Sequence, residues 1–226
     1  KRNLINESSL DSLVTVSLTH TPSSNTPLAI LGDASGNGLW VFYISDDNDL
    51  QKLIAAHIVT GVEVNRSKFN LTNQSGPINI DISKSRIAIL FKDKCLHYGM
   101  LYLSKESVSI EIAGEIENIS PYCVQSAFSS TSNSLFWLEE KHSKNYLKRL
   151  NISSLAIESS LVNNCYKSLK CGPDNIIYGL SKSTNNQPTL LMATPNGLIE
   201  EFSVTEAIVP TEGGYFPANG WSVYHS

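Results

Sequence analysis

The sequence predicts an all-β protein, a small β-propeller of four or five blades with a β-sandwich as the alternative, on three observations. Helical periodicity is nearly absent. Short β-branched or aromatic runs are bounded by Gly, Asn, Asp, Ser and Pro, the pattern of strands and turns. A three-strand unit recurs, its starts 38 to 58 residues apart, in or near the range of propeller blades.

The elements follow in chain order. Ser12–Leu18 opens as an isolated strand. The first unit is Leu28–Leu31, Leu39–Ile44 and Asp49–Leu53. Leu50–Ile58 carries apolar residues at i, i+3 and i+4, yet it runs into Ile58-Val59-Thr60 and Gly61 and reads mostly as strand. Residues Asn65–Pro77 read as a polar, exposed loop, and Ile78–Ile82 as a further strand. The second unit is Arg86–Phe91, Met100–Leu103 and Val108–Ile112. The third is Val124–Phe128, Ser134–Leu138 and Tyr146–Leu150, and the fourth Ile176–Leu180, Pro188–Met192 and Leu198–Phe202. Gly220–His225 is a second isolated strand. Pairing it with Ser12–Leu18 predicts one blade closed by both termini of a single domain, 1–226, which hides edge strands.

Composition narrows the function classes. The chain has 226 residues, 17 Lys+Arg against 21 Asp+Glu, a net charge of −4 and 41% hydrophobic residues. A mildly acidic chain without a basic cluster is not built for nucleic acid, and no apolar run is long enough for a membrane-spanning helix. Four cysteines, Cys95, Cys123, Cys165 and Cys171, predict two disulfides; proximity favours Cys165–Cys171 and leaves Cys95–Cys123. Six sequons, at Asn6, Asn65, Asn70, Asn73, Asn118 and Asn151, join the leading Lys1-Arg2, which resembles a dibasic processing site. Together these favour a secreted glycoprotein.

Motifs for chemistry are sparse. No Gly-x-Ser-x-Gly, His-Glu-x-x-His, P-loop or dinucleotide fingerprint occurs. The histidines show no zinc-ligand spacing with the cysteines, so neither a metal nor a cofactor is expected. Gly32–Trp40 reads as a hairpin turn rich in Gly and Asn. Asp46-Asp47-Asn48-Asp49 reads as a solvated turn. Glu139-Glu140 and Glu200-Glu201 are adjacent on strands and point to opposite faces, so neither pair can flank one bond. The expectation is no catalysis. Trp40, Trp137 and Trp221 are candidates for stacking on a sugar or anchoring a partner, or for filling the space between blades. In the connection Glu206–Asn219, Tyr215 and Phe216 sit on a Gly hinge between prolines and are the candidate partner contact.

Leu28-Ala-Ile-Leu-Gly-Asp33, Gly38-Leu-Trp-Val-Phe-Tyr43 and Asp46–Lys52, with Pro188–Phe202 and the Gly220-Trp221 pair, resemble the blades of fungal fucose-specific lectins. The resemblance covers about half the chain, implies a propeller with sugar sites between blades, and places Glu200 or Glu201 near the family's acidic position. The family's sugar-binding arginine falls at Trp40 and around Leu190, which cannot replace it. A lectin fold without its arginines implies a secreted, monomeric fungal effector that recognises or inhibits a host extracellular protein, such as a hydrolase or protease. The alternatives are a lectin of altered sugar specificity and a glycoside-active enzyme.

Overall fold

A computed structural model describes residues 16–203, apart from 25, 34, 48–49, 72–74, 84, 105–106, 120, 130, 132, 173 and 183–187. Among the described residues there are sixteen strands and no helix. They form four antiparallel sheets, each a meander of four sequence-adjacent strands, which makes the fold a four-bladed β-propeller.

Blade 1 comprises β1 (Ala29–Gly32), β2 (Gly38–Asp47), β3 (Leu50–Val59) and β4 (Val62–Asn70). Blade 2 comprises β5 (Pro77–Ser83), β6 (Arg86–Phe91), β7 (Leu96–Leu103) and β8 (Val108–Ile116). Blade 3 comprises β9 (Pro121–Phe128), β10 (Ser134–Lys141), β11 (Lys144–Asn151) and β12 (Ile157–Val162). Blade 4 comprises β13 (Tyr166–Cys171), β14 (Ile177–Lys182), β15 (Pro188–Ala193) and β16 (Ile199–Ser203).

The first strands begin at residues 29, 77, 121 and 166, a regular repeat of 44 to 48 residues. The units read from sequence caught strands one to three in blades 1 and 3 but strands two to four in blades 2 and 4. That shift of phase made the spacing look irregular.

Two further expectations are corrected. Asn65–Asn70 is the end of β4 and not a loop, because this strand shows most of its side chains to solvent and its polarity imitates a loop. Val16–Leu18 forms no strand: Val16 and Leu18 pack on the blade 1 core instead. The other part of the proposed closing blade, Gly220–His225, lies outside the described residues.

The chain divides into two compact units: residues 1–74 with 102–109, and residues 75–101 with 110–226. In the first unit, Tyr43, Ile54, Ala56 and Ile58 form one buried cluster. The segment before β1 is held along β2: Tyr43 donates its hydroxyl to the His20 carbonyl at 3.0 Å, and Ser45 donates to the Thr21 carbonyl at 2.8 Å. Thr60 and Gly61, both at positive φ, make the two-residue turn between β3 and β4.

The second unit is organised by β10. Its residues alternate between two cores. Leu135 and Trp137 join Ala88, Leu90 and Tyr98 of blade 2, while Phe136 and Leu138 join Leu169, Ile177 and Leu191 of blade 4. A strand buried on both faces reads as a continuous apolar run, as Leu135-Phe-Trp-Leu138 does.

Candidate functional site

The aromatic candidates inside the described residues are structural. Trp40 and Trp137 are 0% and 1% exposed, so neither can stack on a ligand arriving from solvent. Trp137 packs between blades 2 and 3 and donates Nε1–H to Glu139 Oε1 at 2.7 Å. Trp40 lies flat on the His57 imidazole, with centroids 4.5 Å apart and planes 12° from parallel. Glu201 accepts from the Asn163 backbone N–H at 3.0 Å and from the Tyr166 hydroxyl at 2.6 Å, so it ties the β12–β13 connection to β16. Tyr215, Phe216 and Trp221 lie outside the described residues.

The Cys165–Cys171 pairing is corrected: Cys95, Cys165 and Cys171 form no disulfide with one another among the described residues. The side chain of Cys123 lies outside the described ones, and with it the Cys95–Cys123 pairing. Cys171 ends β13 and Cys165 immediately precedes it, so the extended strand holds them roughly 20 Å apart, far beyond the ~7 Å a bridge can span. Nearness in sequence misled because the intervening residues form a strand.

Two polar clusters serve the scaffold. Asp33, at the end of β1, meets His57 of β3 at 3.0 Å and also accepts from the Ser35 hydroxyl at 2.8 Å. The His57 contact, then the Ser35 bond, draws the Asp33 carboxyl down to about 2 against the cost of burial. Gly38 makes this possible: a β-carbon there would lie 2.7 Å from both Asp33 Oδ2 and the Ile58 carbonyl. In the second unit, the first strands of blades 2, 3 and 4 are neighbours. Asp81 of β5 accepts from the Phe128 N–H of β9 at 2.8 Å, and Asn79 donates to Ser126 at 3.2 Å. Burial pushes Asp81 up to about 6, opposed by the Phe128 bond and by Lys170 of β13.

Between blades 3 and 4, a cleft lined by Phe136, Arg149, Glu158 and Thr194 has a volume of about 10 Å³, room for one water. Arg149 is committed there to Glu158 at 2.6 Å.

Sequence reasoning missed two features. First, the last strand of each blade shows apolar side chains to solvent: Val62 and Val64 on β4, Ile112 on β8, Ile157 and Leu161 on β12, and Phe202 on β16. On β12 the pattern is sharpest, since Ile157, Ser159 and Leu161 share one exposed face while Val162 points inward. Leu155, in the turn just before it, is 62% exposed. The period-2 apolar pattern was present in the sequence, but read alone it signals a core-facing strand. Second, Cys95, His97 and Glu115 converge, with their ligand atoms all within 4.8 Å of one another. Cys95 and His97 stand two residues apart, which matches no zinc-motif spacing, and Glu115 comes from the next strand and has no local signature.

No protein-family model matches the chain, and no curated protein is similar to it in sequence. Similarity appears among solved structures. A nidogen/laminin complex superposes with a TM-score of 0.50 at 9% identity, over 79% of this chain and 64% of that one. TolB from Acinetobacter baumannii gives 0.47 at 12% identity, over 78% and 41%. A luciferin-regenerating enzyme gives 0.43 at 8% identity, over 84% and 64%. The chain spans less than two thirds of each of these proteins. At such identities the likeness speaks for the fold alone.

Proposed function

We propose that this chain is a non-catalytic recognition protein that binds another protein through the outer edges of its blades. The observation that carries the reading is β12, an edge strand with Ile157 and Leu161, preceded by Leu155, facing solvent. An edge strand offers unpaired backbone donors and acceptors, and apolar side chains on it supply the anchor for an added strand. Proteins usually blunt such edges with charge, and here only Glu158 does so, paired to Arg149. The structural neighbour from a nidogen/laminin complex supports the use of such a fold in protein association. The water-sized cleft between blades 3 and 4 weighs against a sugar site at that interface.

The finer form of the proposal is extracellular: Asn65, Asn70 and Asn118 are exposed and open to glycans. These sequons are the feature that supports that setting. A fungal effector acting on a host extracellular hydrolase is its most specific version, and it rests on the lectin resemblance.

The test is capture from extracellular fluid by immobilised protein, side by side with an Ile157→Ser/Leu161→Ser variant. Both positions are exposed, so the variant should melt within a few degrees of the parent. One stoichiometric partner held by the parent and lost by the variant supports the reading. Equal capture by both moves recognition away from β12, and saturable binding of one sugar family on a glycan array overturns the non-lectin reading.

A further inference from the structure

We infer that Cys95, His97 and Glu115 form a binding site for a divalent ion of the zinc class. The three side chains belong to blade 2. Cys95 precedes β7, His97 lies two residues on in that strand, and Glu115 lies near the end of β8. The β6–β7 turn fixes the first of them: the Cys95 carbonyl accepts from the Phe91 N–H at 2.9 Å, and Lys94 takes positive φ. The Phe91 ring, tilted against the imidazole at 4.7 Å, sets the plane of His97.

The geometry is close to that of a bound site. His97 Nε2 lies 3.3 Å from Glu115 Oε2, and the thiol completes a triangle with no side above 4.8 Å. Tetrahedral ligands at zinc bond lengths stand about 3.3–3.8 Å apart, so closing the longest side takes a movement of roughly 1.0–1.5 Å at most. Thiolate, imidazole and carboxylate together suit a borderline-soft ion such as Zn²⁺ and suit Mg²⁺ or Ca²⁺ poorly. Cys95 and His97 are buried while Glu115 is exposed, so an ion can enter from the Glu115 side and keep a water there.

Glu115 sets a carboxylate against the thiol and the imidazole, a local negative charge that attracts a cation to this point. Binding releases the thiol proton to solvent and forms the sulfur–metal bond.

Cobalt(II) added to the metal-stripped full chain is the probe. The expected result is uptake of one equivalent, a sulfur-to-cobalt charge-transfer band in the near ultraviolet, and displacement by Zn²⁺. Cys95→Ser should abolish the band, whereas a Cys165→Ser/Cys171→Ser variant should keep it. Glu115→Gln, at an exposed position that does not threaten folding, should weaken Co²⁺ binding by at least the roughly 10–100-fold that even an outer-shell partner commands. Absence of the band, a band that follows Cys165 and Cys171, or unchanged affinity in Glu115→Gln overturns the inference. If Cys95→Ser does not fold, the Glu115→Gln affinity decides alone.

Discussion

Asp33 and His57, 24 residues apart in sequence, meet at 3.0 Å, and the imidazole is pinned from its other side by the stacked Trp40 ring. The contact joins the β1–β2 turn to β3. The Gly- and Asn-rich turn between β1 and β2 is thereby fixed to the most buried strand of blade 1.

This contact carries a pH signature. The Asp33 carboxyl lies at about 2 in the folded protein, chiefly through His57 and then Ser35, below its ordinary value of about 3.9. A depressed carboxylate contributes stability above the unfolded pKa and loses it as pH falls through the folded one. Asp33→Asn should therefore melt below the parent at pH 7, with the gap closing between about pH 4 and pH 2. A gap that stays constant over that range refutes the linkage.

Asp81 has the opposite sign. Its carboxyl is raised to about 6 by burial, so the folded state binds a proton before the unfolded state does. Between about pH 4 and 6 its contribution to stability falls as pH rises, and the full cost is present above 6. Asp81→Asn, which can still accept from Phe128, should raise the melting temperature at pH 7.5 and have little effect at pH 4. An advantage that grows on acidification would contradict this.

Gly99 is irreplaceable on steric grounds. A β-carbon there would lie 2.2 Å from the Glu111 carbonyl oxygen and 2.9 Å from Ile112 Cα, both backbone atoms with nowhere to go. Gly99→Ala must push β7 from β8 and should cost about 1–3 kcal/mol or more by denaturant titration. A loss below half of that would mean the strands separate freely.

Trp137→Ala removes the largest side chain shared by blades 2 and 3 and strips Glu139 of its donor. The expected cost is about 3–5 kcal/mol in chemical denaturation. Trp137→Phe should lose less, since it forfeits the hydrogen bond but keeps most of the packing. Equal losses would show that the hydrogen bond dominates.

Redox behaviour separates the thiols. Alkylation in denaturant without reductant should label at least Cys95, Cys165 and Cys171, and reductant should leave the melting temperature unchanged. In the folded state Cys95, buried and raised to about 11, should react slowest at pH 8. Rapid modification of Cys95 in native protein would refute its protected setting.

The inner part of each blade was legible from residues because its strands are continuous apolar runs: Ile54-Ala-Ala-His-Ile58 and Leu135-Phe-Trp-Leu138 admit little else. The outer strands were not. Val62-Glu-Val-Asn-Arg-Ser-Lys-Phe-Asn70 shows mostly solvated side chains, and a solvated strand has the composition of a loop. The candidate tryptophans were read for their chemistry, yet burial is set by partners far away in sequence. The thiol–imidazole–carboxylate group depends on the register of β7 and β8, which no spacing rule supplies.

The division of β10 between two cores has a dynamic consequence. Blade 3 cannot open without uncovering Leu135 and Trp137 on one side or Phe136 and Leu138 on the other. Local opening is cheap only where few apolar contacts break, so fraying should begin at the blade rims and stop short of this strand. In amide exchange, β10 should be the last element of its unit to take up deuterium. Its protection should fall in step with global unfolding, as a keystone holds until the arch goes.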